Sequence, residues 1–377
     1  MEEAVMNRPA VSPRPVAVAL LLLLLLAGTS FAEPYIAVRT GFKCSQCHEN
    51  RTGGGKRTDF GVAYSQYKLM MKSMMGVAQA QSFDPKLTST VSVGANFRIE
   101  QTWLQAATSK KVNPDDSVRT APSSWDAGIF KEKNLYVNMD LVKDRLKLYY
   151  DKDMGGGAAR ELWAMVGLPG SGYFKFGQML LPYGFRLMDD EAFVRKGTGY
   201  TYGTTAMAYE LGFEPGPLSL VVNATQNEVA TVGSLVFQNL PVARTVRVGG
   251  SHSYQLRKAY KSKKGSYGVF GGLAFGMFTV LGERDWTRDE GIDKIEDYAE
   301  LAVLPMQGLN FRLVYESLWP DRNIPQAKSN QRRITFGAEP FVTQYLQVGL
   351  YYRKNDWIPQ NPEKNQDEVV GRLHVFF

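Results

Sequence analysis

From about Leu87 to Phe377 the chain alternates. In the stretch beginning at Val91, the residues Val91, Val93, Ala95, Phe97 and Ile99 take one face, and Ser92, Gly94, Asn96, Arg98 and Glu100 take the other. The same grammar sets Leu135, Val137, Met139 and Leu141 against Asn134, Tyr136, Asn138 and Asp140. It returns with Leu309, Phe311, Leu313 and Tyr315 against Asn310, Arg312, Val314 and Glu316, and with Leu346, Val348, Leu350 and Tyr352 against Gln347, Gly349, Tyr351 and Arg353. A period of two means half-buried β-strands. Tight connectors at Lys143-Asp144, Pro215-Gly216, Gln307-Gly308 and Thr343-Gln344 alternate with longer polar stretches at 109–125, 188–202 and 320–331.

Such strands suit either a soluble sandwich or a membrane barrel. Three features favour the barrel. The strands are too many for one sandwich. The polar face carries bulky charges of both signs: Arg98, Glu100, Asp140, Arg145, Lys147, Lys175, Glu300, Arg312, Glu316, Arg333, Arg353 and Arg372. A wet lumen accommodates these. The last strand, with Val369, Gly371, Leu373, Val375 and Phe377 on one face, ends on an aromatic, as outer-membrane barrels typically do; His374 then faces the lumen. The expectation is an all-β antiparallel outer-membrane barrel of 14–16 strands, an even number, over residues 86–377, among outer-membrane lipid.

The N-terminal region obeys different rules. Arg8 and Arg14 precede the apolar run Val16–Ala27, and Ser30-Phe31-Ala32 offers small residues where a signal peptidase reads. The run falls short of the roughly 20 residues of a membrane helix, so residues 1–32 read as a secretory signal peptide of a Gram-negative bacterium. The net charge of +7 is spread along the chain without a basic cluster interleaved with aromatics, which argues against nucleic acid.

Both cysteines of the chain fall in Cys44-x-x-Cys47-His48. An exported Cys pair would ordinarily become a disulfide, and a thioredoxin-like pair would sit in a βαβ setting that is not visible here. The adjacent histidine completes the pattern of c-type haem attachment. Two thiols form thioethers to the vinyl groups, and the next imidazole then ligates the iron. The expectation is one covalent haem c on Cys44, Cys47 and His48, with His48 on the iron, in a segment 33–85. Gly53-Gly54-Gly55 supplies a turn, and Arg51, Lys56 and Arg57 are candidate partners for the propionates. A helix is expected over 64–75, where Tyr64, Tyr67, Met71, Met74 and Met75 share a face. Met70, Met71, Met74 or Met75 is a candidate second iron ligand, although such a stripe also suits packing.

The stretch Tyr35–Gly61, through Arg39, Thr40, Gly41, Cys44, Cys47, His48, Phe60 and Gly61, resembles the haem segment of the fused monohaem cytochrome–porins, which include outer-membrane ferrous-iron oxidases. The piece Phe174–Leu187 resembles the phosphate-selective porin superfamily. The resemblance implies a short cytochrome segment plugging a barrel. It also implies electron transfer between an extracellular donor or acceptor and a periplasmic carrier, a cytochrome or copper protein. Between His48 and Phe60 this chain is polar where those oxidases have an apolar, Pro-containing run, so iron is one reductant among several. Two other readings compete: a passive solute porin with a haem-bearing plug, and a scaffold for multihaem cytochromes.

Overall fold

The computed structural model describes residues 33–71, 84–111, 113–126, 130–189, 191–201, 203–255, 264–356 and 360–377. The expected signal peptide and Met74 and Met75 lie outside the described residues.

Sixteen long antiparallel strands form one closed barrel, the upper of the two expected counts. They are β1 (Val91–Leu104), β2 (Phe130–Val142), β3 (Leu146–Asp153), β4 (Glu161–Leu168), β5 (Gly172–Leu180), β6 (Thr205–Phe213), β7 (Leu218–Thr225) and β8 (Glu228–Gln238). The second half is β9 (Thr245–Gln255), β10 (Gly265–Phe275), β11 (Phe278–Asp289), β12 (Ile292–Met306), β13 (Leu309–Trp319), β14 (Gln331–Pro340), β15 (Leu346–Asp356) and β16 (Glu368–Phe376). Sequential neighbours pair throughout. The sheet closes where β1 meets β16, with Arg98 opposite His374 and Ile99 opposite Leu373. A short strand, Ser124–Asp126, extends the pairing of β1 at its far end.

One end of the barrel carries tight turns. Left-handed residues make them: Asp144 at φ 58°, Gly216 at φ 46° and Gly308 at φ 86°. At Gly308 a side chain would also collide with the Met71 backbone, 2.4 Å from an added Cβ.

The wall is polar inside and apolar outside. On β13, Phe311, Leu313 and Tyr315 are exposed, whereas Asn310 and Glu316 are buried. A soluble sandwich shows the reverse. With no free edge and an apolar exterior, such a sheet satisfies its own backbone in lipid. The inward charges pair across strands: Arg312 with Glu300 and Glu339 at 2.7 and 2.8 Å, Arg372 with Glu100 at 2.7 Å, Arg333 with Glu316 at 2.6 Å and Lys175 with Glu210 at 2.7 Å. Arg145 corrects the sequence reading. It lies in the exposed turn after Asp144, because β2 ends at Val142 and β3 starts only at Leu146.

Two segments fill the lumen. One is the N-terminal segment 33–71. The other is the connection 181–204 between β5 and β6, which folds inward around the helix Phe193–Thr198. Tyr35 and Val38 from the first, Phe185, Leu187 and Val194 from the second, and Phe270, Leu281 and Val314 from the wall form a buried apolar core inside the barrel.

Candidate functional site

The N-terminal segment is a chain of short helices pinned to the wall. Helix α1 (Pro34–Thr40) begins with Pro at its first turn and ends at Gly41 in the left-handed region, φ 72°. Its Tyr35 hydroxyl donates to Glu339 at 3.0 Å, and its Val38 carbonyl accepts from the Thr245 hydroxyl. Helix α2 is the single turn Cys44–Cys47, with the Gln46 side chain accepting from the Lys43 amide at 2.9 Å. His48 follows in extended conformation, its amide donating to the Cys44 carbonyl at 2.9 Å. Helix α3 (Asp59–Tyr64) is capped by the Thr58 hydroxyl, which accepts from the Gly61 amide at 3.1 Å.

Between His48 and Thr58 the chain doubles back. Gly53, Gly54 and Gly55 all have positive φ, at 95°, 77° and 66°. Three residues in succession could hold that conformation at low cost only as glycine. The reversal returns the chain so that the Glu49 amide donates to the Lys56 carbonyl at 2.9 Å. At its tip the Asn50 amide group bridges Glu161 and Lys175, both at 3.0 Å.

Cys44, Cys47 and His48 all open onto one cavity, with about 1350 Å³ of space between the N-terminal segment and the infolded connection, part of it continuous with solvent. Ile36, Phe42, Leu181, Phe185, Val221 and Phe270 give it apolar walls. Lys43, Arg51, Arg186 and Arg247 give it a cationic rim. Both cysteines are free thiols. His48 is 2% exposed; its Nδ1 lies 3.4 Å from the Gly55 carbonyl, and its Nε2 is buried without a hydrogen-bond partner. Burial, with Arg57 nearby, pushes the imidazole down to about 3, so it is neutral at ordinary pH. Burial likewise holds the Cys47 thiol up at about 11. A neutral imidazole with one nitrogen fixed and the other unpartnered beside two thiols is a donor set that fits a haem c.

Other expected residues fall elsewhere. Of the three expected propionate partners, Arg51 lines the cavity, but Lys56 turns to Glu49 at 3.8 Å and Arg57 packs over the Phe376 ring at 4.2 Å. The expected helix from residue 64 starts earlier, at Asp59, and ends in a π-turn over Ser65–Leu69. Met70 and Met71 are outside it. The wall's short-turn end draws them away: Gln307 Nε2 donates to the Met70 carbonyl at 3.0 Å, and the Met71 amide donates to the Phe341 carbonyl at 3.0 Å. Neither methionine lines the cavity. Sequence reasoning missed the contribution of 181–204, read partly as a polar loop. The signal was there in Leu181, Phe185, Leu187, Phe193 and Val194, apolar residues too many for a solvated loop.

No family model matches the chain, and no curated protein matches its sequence. Solved structures match its fold. OmpT of Vibrio cholerae aligns at 13% identity with a TM-score of 0.51, over 78% of this chain and 100% of that one. An anion-selective porin from Comamonas acidovorans aligns at 13% identity and TM-score 0.53, over 76% and 99%. OprB of Pseudomonas putida, in its high-pH structure, aligns at 11% identity and TM-score 0.52, over 83% and 100%. The fold is that of a porin-type outer-membrane β-barrel.

Proposed function

We propose that the protein is an electron-transfer barrel of the outer membrane, carrying one haem c on Cys44 and Cys47 with His48 as the iron's protein ligand. One observation carries the reading: the three residues of the C-x-x-C-H motif face a single cavity inside the barrel, and His48 presents a buried nitrogen without a partner. Bound there, a haem would supply a one-electron iron couple inside a barrel of the kind whose apolar band is about 25 Å tall. The chain's residues do the rest. The α2 turn sets the two thiols one helical turn apart, and the Gly55 carbonyl orients the imidazole. The wall and the infolded connection line the cavity with Leu181, Phe185, Val221 and Phe270. The partners this function calls for are an extracellular donor or acceptor, ferrous iron among the candidates, and a periplasmic carrier, a cytochrome or copper protein.

The test is a liposome carrying the protein, with a redox dye sealed inside and a membrane-impermeant reductant outside. Wild-type protein reduces the dye, and an inserted His48→Ala variant does so much more slowly. Haem-stained denaturing gels check attachment: Cys44→Ala with Cys47→Ala abolishes covalent haem, and undiminished staining in the double variant refutes the assignment.

The likeness to solute porins favours a second reading, a passive porin whose N-terminal segment narrows the lumen. Equal dye reduction by wild type and His48→Ala, together with flux of small solutes, selects it.

A further inference from the structure

We infer that Arg247, on the barrel wall, is the anchor for a carboxylate of the group held in this cavity, and that on the haem reading this carboxylate is a propionate. The assignment rests on that reading and adds a residue the attachment motif does not contain.

Arg247 projects inward from β9 and is 8% exposed. Its Nη2 donates to the Phe42 carbonyl at 2.7 Å, two residues before Cys44, so the guanidinium is fixed beside the attachment turn. Its Nε is buried without a hydrogen-bond partner. Among the described residues no carboxylate comes within ion-pairing distance of it. Three other cations on the cavity already have partners. Arg51 pairs with Glu214 at 3.2 Å, Arg195 with Glu283, and Lys43 Nζ donates to the Glu214 and Leu218 carbonyls at 2.6 and 2.7 Å.

Glu214 on the same cavity acts on Arg247 only from beyond ion-pairing distance and is itself paired with Arg51; a guanidinium taken out of water without an anion in direct contact is costly, and proteins rarely keep one so. The planar fork matches a carboxylate in two parallel hydrogen bonds. With Nη2 committed to Phe42, the remaining donors include the unpartnered Nε. The neighbouring walls, Phe42 and Phe270 among them, are apolar and suit the flat body of a macrocycle. An apolar plate with an acidic edge is the chemistry the site selects.

A positive charge held against the macrocycle's edge favours the reduced, less positive iron. The experiment uses the full chain, matured in a host that attaches haem c and purified in detergent. Midpoint potential and its pH dependence are measured by spectroelectrochemistry for wild type, Arg247→Gln and Arg247→Lys. Arg288→Gln, on the exposed far rim, controls for net charge. Arg247→Gln keeps its covalent haem stain but titrates at a lower midpoint with an altered pH profile; Arg247→Lys is intermediate, and Arg288→Gln matches wild type. A haem-loaded Arg247→Gln with the wild-type midpoint and pH profile overturns the assignment alone. Should Arg247→Gln fail to insert, Arg247→Lys decides: a midpoint below that of wild type supports the anchor, and an equal one overturns it. A wild-type chain that takes no covalent haem overturns the haem reading and the anchor together.

Discussion

The wall and the N-terminal segment solve burial in opposite ways. The wall turns Phe311, Leu313 and Tyr315 outward and hides Glu300, Glu316 and Arg333. The segment hides Tyr35 and Val38 as a soluble domain would, yet it also buries Glu49, Asn50 and Lys56. It does so because its surroundings are the wall's polar face. The segment therefore needs two kinds of contact, an apolar one against the infolded connection and a hydrogen-bonded one against the strands. The wall's backbone is satisfied by its own closed ladder. The segment's is not, since its helices have only seven, four and six residues and helices so short are marginal alone. Its shape, and with it the cavity at Cys44, Cys47 and His48, is borrowed from the wall.

The residue that joins the two regions should be the most costly to lose. Lys175 and Glu210 are both fully buried, 2.7 Å apart. Lys175 also donates to Asn50 of the segment at 3.0 Å, and the Tyr173 hydroxyl donates to Glu210 at 3.0 Å. Lys175→Met leaves a buried carboxylate without its counter-charge, a loss of about 3–5 kcal/mol. The temperature at which the folded barrel loses its altered migration on a mild-detergent gel falls accordingly. Adding Glu210→Gln recovers much of that fall. An unchanged transition in Lys175→Met would mean that water, not lysine, serves Glu210.

A change confined to the lipid side breaks the comparison from the other direction. Leu313 is 40% exposed, in the middle of β13. Leu313→Arg costs about 2–4 kcal/mol if it lies near the bilayer midplane. The loss appears in the barrel's unfolding transition; on the proposed haem reading, haem staining and the spectrum of the folded fraction stay as in wild type. A Leu313→Arg barrel as stable in bilayers as wild type would argue that this face does not meet lipid.

Much of the wall was legible because a strand's period is two and a lumen admits charge. The alternation at Val91–Glu100 and Leu309–Glu316 needed no tertiary information to read. The chemistry proposed for Cys44, Cys47 and His48 rests on a different kind of signal, since three residues within five positions define the motif by themselves. What the chain did not announce was set by distant partners. Arg145 was misplaced because alternation says nothing about where a turn interrupts it. Lys56 and Arg57 looked like neighbours of the motif, but the glycine turn sends them to Glu49 and Phe376. Arg247 is about two hundred residues from Cys44, and only closure of the barrel brings its side chain to the Phe42 carbonyl. The helix that was to carry the methionines stops early because Gln307 and Phe341, on the rim, bind its continuation.

The smallest expected effect separates the two regions most cleanly. Tyr149 stands on β3 with its ring stacked between Trp163, at 4.7 Å between centroids, and Tyr136, at 6.3 Å. Its hydroxyl accepts from the Lys56 amide at 2.9 Å. Gly55 lies directly against that hydroxyl; a Cβ there would stand 2.3 Å from it. The Gly55 carbonyl in turn faces Nδ1 of His48. Tyr149→Phe keeps the ring, the stack and the volume, so the wall has no reason to weaken. It removes the acceptor of one buried amide, which costs about 1–3 kcal/mol, and that cost falls on the docking of residues 48–57. Hydrogen exchange at the Lys56 amide therefore accelerates while exchange in the β2–β4 ladder is unchanged, and the barrel's gel transition barely moves. Equal acceleration in segment and ladder would show that the two regions open as one unit, and the division drawn between them would have to be given up.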